Sequence, residues 1–188
     1  MAKGVATELP SLVSLYKHFH ANPELSFMEV ETAKRLAAEL RAAGLKVTTG
    51  VGGHGIVGIL KNGPGPTLLI RADMDGLPVQ EETGLPYASK KQMVDEQGNT
   101  VYTMHACGHD VHITSFVGTA RMLGQLRDQW SGTLVMIGQP AEERGAGARA
   151  MLADGLYTRW PVPDYCIGLH VASDQPAGTI GHNSGYVY

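Results

Sequence analysis

Apolar runs in this chain repeatedly end on ionisable residues, and that pattern limits the possible folds more than any other feature. Leu68-Leu69-Ile70-Arg71-Ala72 ends in Asp73 and Asp75. Leu134-Val135-Met136-Ile137 leads to Glu142 and Glu143, and Ile167-Gly168-Leu169 ends in His170. Cys107 and His109 stand just before a stretch of helical periodicity. Alternation of such strands with helices predicts an α/β fold, a mixed central sheet flanked by helices. In an open sheet of this kind, ligands bind at the carboxyl ends of the strands. Polar clusters far apart in sequence can then converge on one site.

The remaining elements follow from spacing and turn chemistry. Leu12, Leu15, Tyr16 and Phe19 lie on one helical face, and Asn22-Pro23 breaks that helix. Ser26 and Glu29 have the spacing of a capping box ahead of Val30, Ala33, Leu36, Ala37 and Leu40, with Gly44 as the stop. Strands are expected over 45–48, 56–60 and 67–72, the last two as an antiparallel pair joined by Asn62-Gly63-Pro64-Gly65. The stretch from Asp73 to His109 has little periodicity, with a hairpin turn at Gly98-Asn99, and loops this long are usually functional. Ile113, Val117, Ala120 and Leu123 mark another helix, and residues 146–153 a short one closed by Gly155. Strands are expected at 133–137 and 167–171, with a further one at 178–182.

Composition excludes several classes. Hydrophobic residues at 43% rule out intrinsic disorder, and two cysteines rule out a disulfide scaffold. A net charge of −3 with scattered basic residues gives no footprint for nucleic acid. No apolar run approaches the ~18–20 residues that span a membrane. Met1-Ala2-Lys3-Gly4 leads into no apolar signal segment, so a cytoplasmic location is the default expectation. Cys166, between Tyr165 and Ile167, reads as a buried inert thiol.

Thiolate, imidazole and carboxylate are the usual zinc ligands, and mixed nitrogen/oxygen sets also suit manganese, cobalt or nickel. Of two adjacent glutamates, one can bind metal while the other stays free as a base, as metal-assisted hydrolysis requires. Each piece alone has a plainer reading. Cys107 and His109 could be a buried thiol beside a capping histidine, Glu142-Glu143 a solvated helix face, Asp73 and Asp75 turn caps, and His170 a core histidine. Their combination favours the metal site.

The motifs also carry a resemblance. His20–Thr32 (HANPELSFMEVET), Arg71–Tyr87 (RADMDGLPVQEETGLPY), Met104–His112 (MHACGHDVH), Gly138–Leu152 (GQPAEERGAGARAML) and Gly168–Val171 (GLHV) resemble the metal-dependent aminoacylase/carboxypeptidase family. Within it they are most similar to the amidohydrolase branch of hippurate hydrolases, N-acyl-amino-acid amidohydrolases and auxin-conjugate hydrolases. The resemblance implies a zinc-peptidase-like catalytic domain with two divalent metal ions, and hydrolysis of the amide bond of N-acyl amino acids. It implies Cys107 as the bridging metal ligand, with His109, Glu143 and His170 as further ligands. Glu142 would be the general base, and Asp75 a carboxylate that orients a ligand. Related branches have a histidine where Asp73 stands, and His109 is the expected substitute ligand. Arg71, Gly108 and Asp110 are expected as structural supports, His105 and His112 as hydrogen-bonding groups, and His18, His20, His54 and His182 as surface or turn residues.

Members of that family are longer. After the strand near His182 they insert a lid domain that makes a homodimer contact, then return with a further histidine ligand. Residues 1–188 are therefore expected to form the N-terminal part of the catalytic domain, ending at Gly185-Tyr186-Val187-Tyr188, and to be poorly active alone. Two other readings compete: a hydrolase using Cys107 as nucleophile, and a non-catalytic binding or assembly module that retains the fold.

Overall fold

The computed structural model describes residues 2–182. Residues 183–188, where the lid is expected to begin, lie outside the described residues. The helices are α1 (Ala2–Ala21), α2 (Val30–Ala42), α3 (His109–Gln125), α4 (Gly147–Ala153) and α5 (Leu156–Arg159). The strands are β1 (Lys46–Val51), β2 (Gly55–Asn62), β3 (Thr67–Asp73), β4 (Gln92–Val94), β5 (Thr100–Tyr102), β6 (Gly132–Gln139) and β7 (Tyr165–Gly168). No helix among the described residues is long and apolar enough to cross a membrane.

The central sheet has the order β1-β2-β6-β3-β7. It is mixed, as expected: β1–β2 and β2–β6 are antiparallel, whereas β3 runs parallel to both β6 and β7. The expected β2–β3 pair does not form, because β6 lies between them. The reason lies in β6 itself. Leu134, Val135, Met136 and Ile137 are all buried, which suits a strand covered on both faces and places it at the centre. β4 and β5 form the hairpin anticipated at Gly98-Asn99.

Side chains alternate across the sheet and build two cores. On one face Leu134 and Met136 pack with Leu15, Phe19, Leu36, Leu40, Ile113 and Phe116 from α1, α2 and α3. On the other face Val135 and Ile137 pack with Val57, Leu69, Met151 and Leu156, the last two from α4 and α5. The layers are helix, sheet, helix.

Several local expectations are corrected. Ser26 and Glu29 do not form a capping box. The Glu24 carboxylate instead accepts the Glu31 and Thr32 N–H groups at the start of α2, so the free donors of the first turn are met from seven and eight residues upstream. The last strand is short: β7 ends at Gly168, and Leu169–Val171 leave the sheet. No strand occurs over residues 178–182. Cys166 is exposed rather than buried, because β7 is an edge strand exposed along its whole length.

Candidate metal centre

The parallel strands β3 and β6 end side by side, with Asp73 opposite Gln139. Asp75 follows the first strand and Glu142-Glu143 the second. α3 begins at the same edge with His109, and His170 follows β7. Gly108 makes this approach possible. It caps α3 in the left-handed region, φ 81°, and any Cβ there would collide with Val171 Cγ2. Cys107, the helix start and the chain beyond β7 therefore meet closely only around a glycine.

His109 is fully buried at the middle of the cluster. Its Nδ1 donates to the Asp75 carbonyl at 2.8 Å, which leaves Nε2 as the ring's available lone pair. That Nε2 has no hydrogen-bond partner and lies 3.6 Å from Glu142 Oε2, 3.7 Å from Glu143 Oε1 and 3.6 Å from Asp73 Oδ2. Glu143 Oε1 is likewise buried without a partner. His170 donates from Nδ1 to the Val171 carbonyl at 2.6 Å, and its Nε2 faces Cys107 Sγ at 3.4 Å. Cys107, His109 and His170 can converge on one ion, as can His109, Glu142 and Glu143. The unpartnered buried His109 Nε2 and Glu143 Oε1, beside the half-buried Cys107 thiol and the exposed His170 ring, make a mixed nitrogen, oxygen and sulfur donor set that fits a divalent transition metal.

A further triad, Asp73, His109 and His112, has the right spacing, but Asp73 and His112 are already engaged with other partners. Asp73 accepts from His112 Nδ1 at 2.7 Å and from Arg71 at 2.6 Å. His112 Nε2 accepts the Val171 N–H at 2.9 Å. Both nitrogens of His112 are thus occupied, and the ring tethers the segment that carries His170. Burial raises the Asp73 carboxyl, but His112, Arg71 and His109 outweigh it and hold the pKa at about 2.

Burial and the crowded carboxylates shift the protonation of these groups. Burial, then the Glu143, Glu142 and Asp73 carboxylates, push the Cys107 thiol up to about 11. Burial also raises Glu143, with Asp75 and Glu142 adding to it against the pull of His109. Burial disfavours the His109 cation, yet Asp75 and Asp73 reverse this and raise it. His105 is buried nearby, and desolvation lowers it to about 4, so the ring is neutral.

Asp75 sits behind the ligand cluster. Its Oδ2 accepts the Ser26 hydroxyl at 2.6 Å and the Glu143 N–H at 3.0 Å, and its Oδ1 is 3.4 Å from His109 Nδ1. Sequence spacing gave no hint of Ser26 in this role. It also placed His20 at the surface. His20 is buried, with Nδ1 2.7 Å from Asp110 and Nε2 2.9 Å from Glu81. Burial works against the His20 cation, but its hydrogen bonds to the Glu81 and Asp110 carboxylates raise it. The ring thereby ties α1 to the first turn of α3 and to the 73–109 segment.

Residues 69–185 match peptidase family M20/M25/M40. N-acetylcysteine deacetylase of Bacillus subtilis is 42% identical over 180 residues, 93% of this chain and 43% of that protein. Hippurate hydrolase of Campylobacter jejuni is 42% identical over 170 residues, 86% of this chain and 41% of that protein. The crystal structure of the Bacillus subtilis YXEP protein, described as a dinuclear metal binding peptidase from the M20 family, superposes with a TM-score of 0.82. It is 39% identical, over 94% of this chain and 46% of that chain. The chain spans about two fifths of the length of the curated relatives it matches.

Proposed function

The chain belongs to peptidase family M20/M25/M40, and from that membership we propose that it carries the base and most of the metal ligands of an amidohydrolase acting on N-acyl amino acids. The observation that carries this reading is the pair of ligand sets that share the buried His109, Cys107-His109-His170 and His109-Glu142-Glu143, with His109 Nε2 and Glu143 Oε1 unpartnered. In this reading Cys107, His109, Glu143 and His170 would hold two divalent ions. Zinc, manganese, cobalt and nickel all suit the donor set. Such ions supply an acidified water and a Lewis acid for the amide carbonyl.

The chain's own groups do the rest. Glu142 takes the water's proton and returns it to the leaving amine, with its carboxylate held 3.6 Å from His109 Nε2. Asp75 holds the Glu143 amide and backs His109, so that two of the ligands keep their places. The products are a carboxylic acid and a free amino acid.

The 188 residues are proposed to be the N-terminal part of a larger catalytic domain. Two facts support this: the short share of each relative that is covered, and the exposure of Tyr165, Ile167 and Leu169 at the β7 edge, where further structure would pack. A homodimer formed through a lid would belong to that larger protein.

A cysteine nucleophile is the competing chemistry. It requires a thiol pKa lowered toward neutrality, and Cys107 is shifted the other way, up to about 11. Chelation and thiol alkylation distinguish the two in the full-length enzyme. Chelation should abolish hydrolysis of N-acetyl and N-benzoyl amino acids, with recovery on adding zinc or manganese. Activity that survives chelation but not alkylation would overturn the metal reading. A non-catalytic module would hold no metal at all.

A further inference from the structure

Ala141 and Phe27 are the non-glycine residues with positive φ among the described residues, at 47° and 62°. Their amides donate to the same atom. Glu29 Oε1 accepts the Ala141 N–H at 2.7 Å and the Phe27 N–H at 2.9 Å. Glu29 is fully buried, and its other oxygen, Oε2, has no hydrogen-bond partner. A buried carboxyl half-used in this way is costly to keep, and strained backbone collects at functional sites.

The strained residue is where the chain leaves β6 for the turn that bears Glu142 and Glu143. The rest of that turn is tightly fastened. The Ala141 carbonyl accepts the Ala146 and Gly147 amides, and the Glu142 carbonyl accepts that of Gly145. The Glu143 amide is held by Asp75, which Ser26 holds in turn. Ala141 is itself fully buried, so without Glu29 its amide would have no acceptor. The segment from Ser26 to Glu29 thus grips the turn on both sides of Glu142.

We propose that Glu29 is a positioning residue: by binding the Ala141 amide it fixes the turn that aims Glu142 and Glu143 into the candidate metal centre. The inference rests on the metal reading for its consequence, but its geometry can be tested without metal.

The test uses Glu29→Ala, Glu29→Gln and the core control Leu40→Ala, and reads two quantities. The first is amide hydrogen exchange at Ala141 in the metal-free chain. The second is affinity for Co²⁺, read from its thiolate absorbance. Glu29→Ala should lose Ala141 protection relative to Val135 and weaken Co²⁺ binding on the order of 10–100-fold. Glu29→Gln keeps an acceptor oxygen and should recover most of both. Leu40→Ala should lower the melting temperature and leave Co²⁺ affinity at the wild-type value. Persistent Ala141 protection in Glu29→Ala, or affinity that merely follows stability across the variants, overturns the proposal. If Glu29→Ala does not fold, the Ala141 amide proton in Glu29→Gln decides. An upfield shift supports the bond to Glu29, and an unmoved resonance overturns it. A wild-type chain that protects Ala141 through Glu29 yet binds no Co²⁺ would overturn the metal reading while leaving the brace in place.

Discussion

At His109 the ring donates from Nδ1 to a backbone carbonyl and turns an unpartnered Nε2 toward two glutamates. Three residues on, His112 has the same burial, yet both its nitrogens are already used. The sequence distinguished them only by resemblance, because ligation depends on which nitrogen remains free, and tertiary contacts decide that. The difference gives a prediction. His109→Ala should abolish tight binding of divalent metal, whereas His112→Ala should keep metal bound but loosen the His170 segment; metal analysis and hydrogen exchange at Val171 check both. In the larger enzyme proposed above, Glu142→Gln should lower kcat about 10²–10⁴-fold with metal content unchanged. Loss of metal in that variant would make Glu142 a ligand rather than the base.

Among the elements, the Ser26–Glu29 segment shows where sequence reading runs out. Its spacing mimics a capping box, but Ser26 bonds to Asp75, Glu29 to Ala141, and Glu24 caps α2. Strand content and the convergence of strand ends were legible, since apolar period and terminal charges are local signals. The position of β6 between β2 and β3 was not, because pairing follows burial on both faces. Glu29 also makes a pH prediction. Burial raises its pKa from 4.5 to about 7, against the pull of the Ala141 and Phe27 amides. Between those values the unfolded chain has released a proton that the folded chain still holds, so stability falls as pH rises through this window. Glu29→Gln removes that slope and should gain on wild type by about 3 kcal/mol between pH 4.5 and 8. His105, lowered from 6.5 to about 4, has the opposite sign: its contribution is lost as pH falls from 6.5 toward 4. Denaturant melts of wild type and Glu29→Gln across this range check the account; parallel curves would contradict it. At the sheet's β7 edge, Ile167 is about half exposed on a strand paired to β3 on one side only. Ile167→Lys should reduce concentration-dependent association of the 188-residue chain, as charge on a free edge does; light scattering reads the change.

For the whole molecule, the layers are complete where the site is built and bare beyond β7. The helices and strands that carry Cys107, His109, Glu142, Glu143 and His170 enclose two cores, yet the chain covers about two fifths of its relatives. Activity of the 188 residues alone on N-acetyl and N-benzoyl amino acids should therefore fall far below that of a full-length enzyme. Equal turnover would contradict the proposal that the site is finished by later sequence. A divalent metal site built around His109 is open to direct measurement by elemental analysis of the purified protein. After equilibration with zinc or manganese and removal of free ion, the wild-type chain should retain about one tightly held ion, or more, and His109→Ala should lose it. A correctly folded wild-type chain that retains no metal would contradict it.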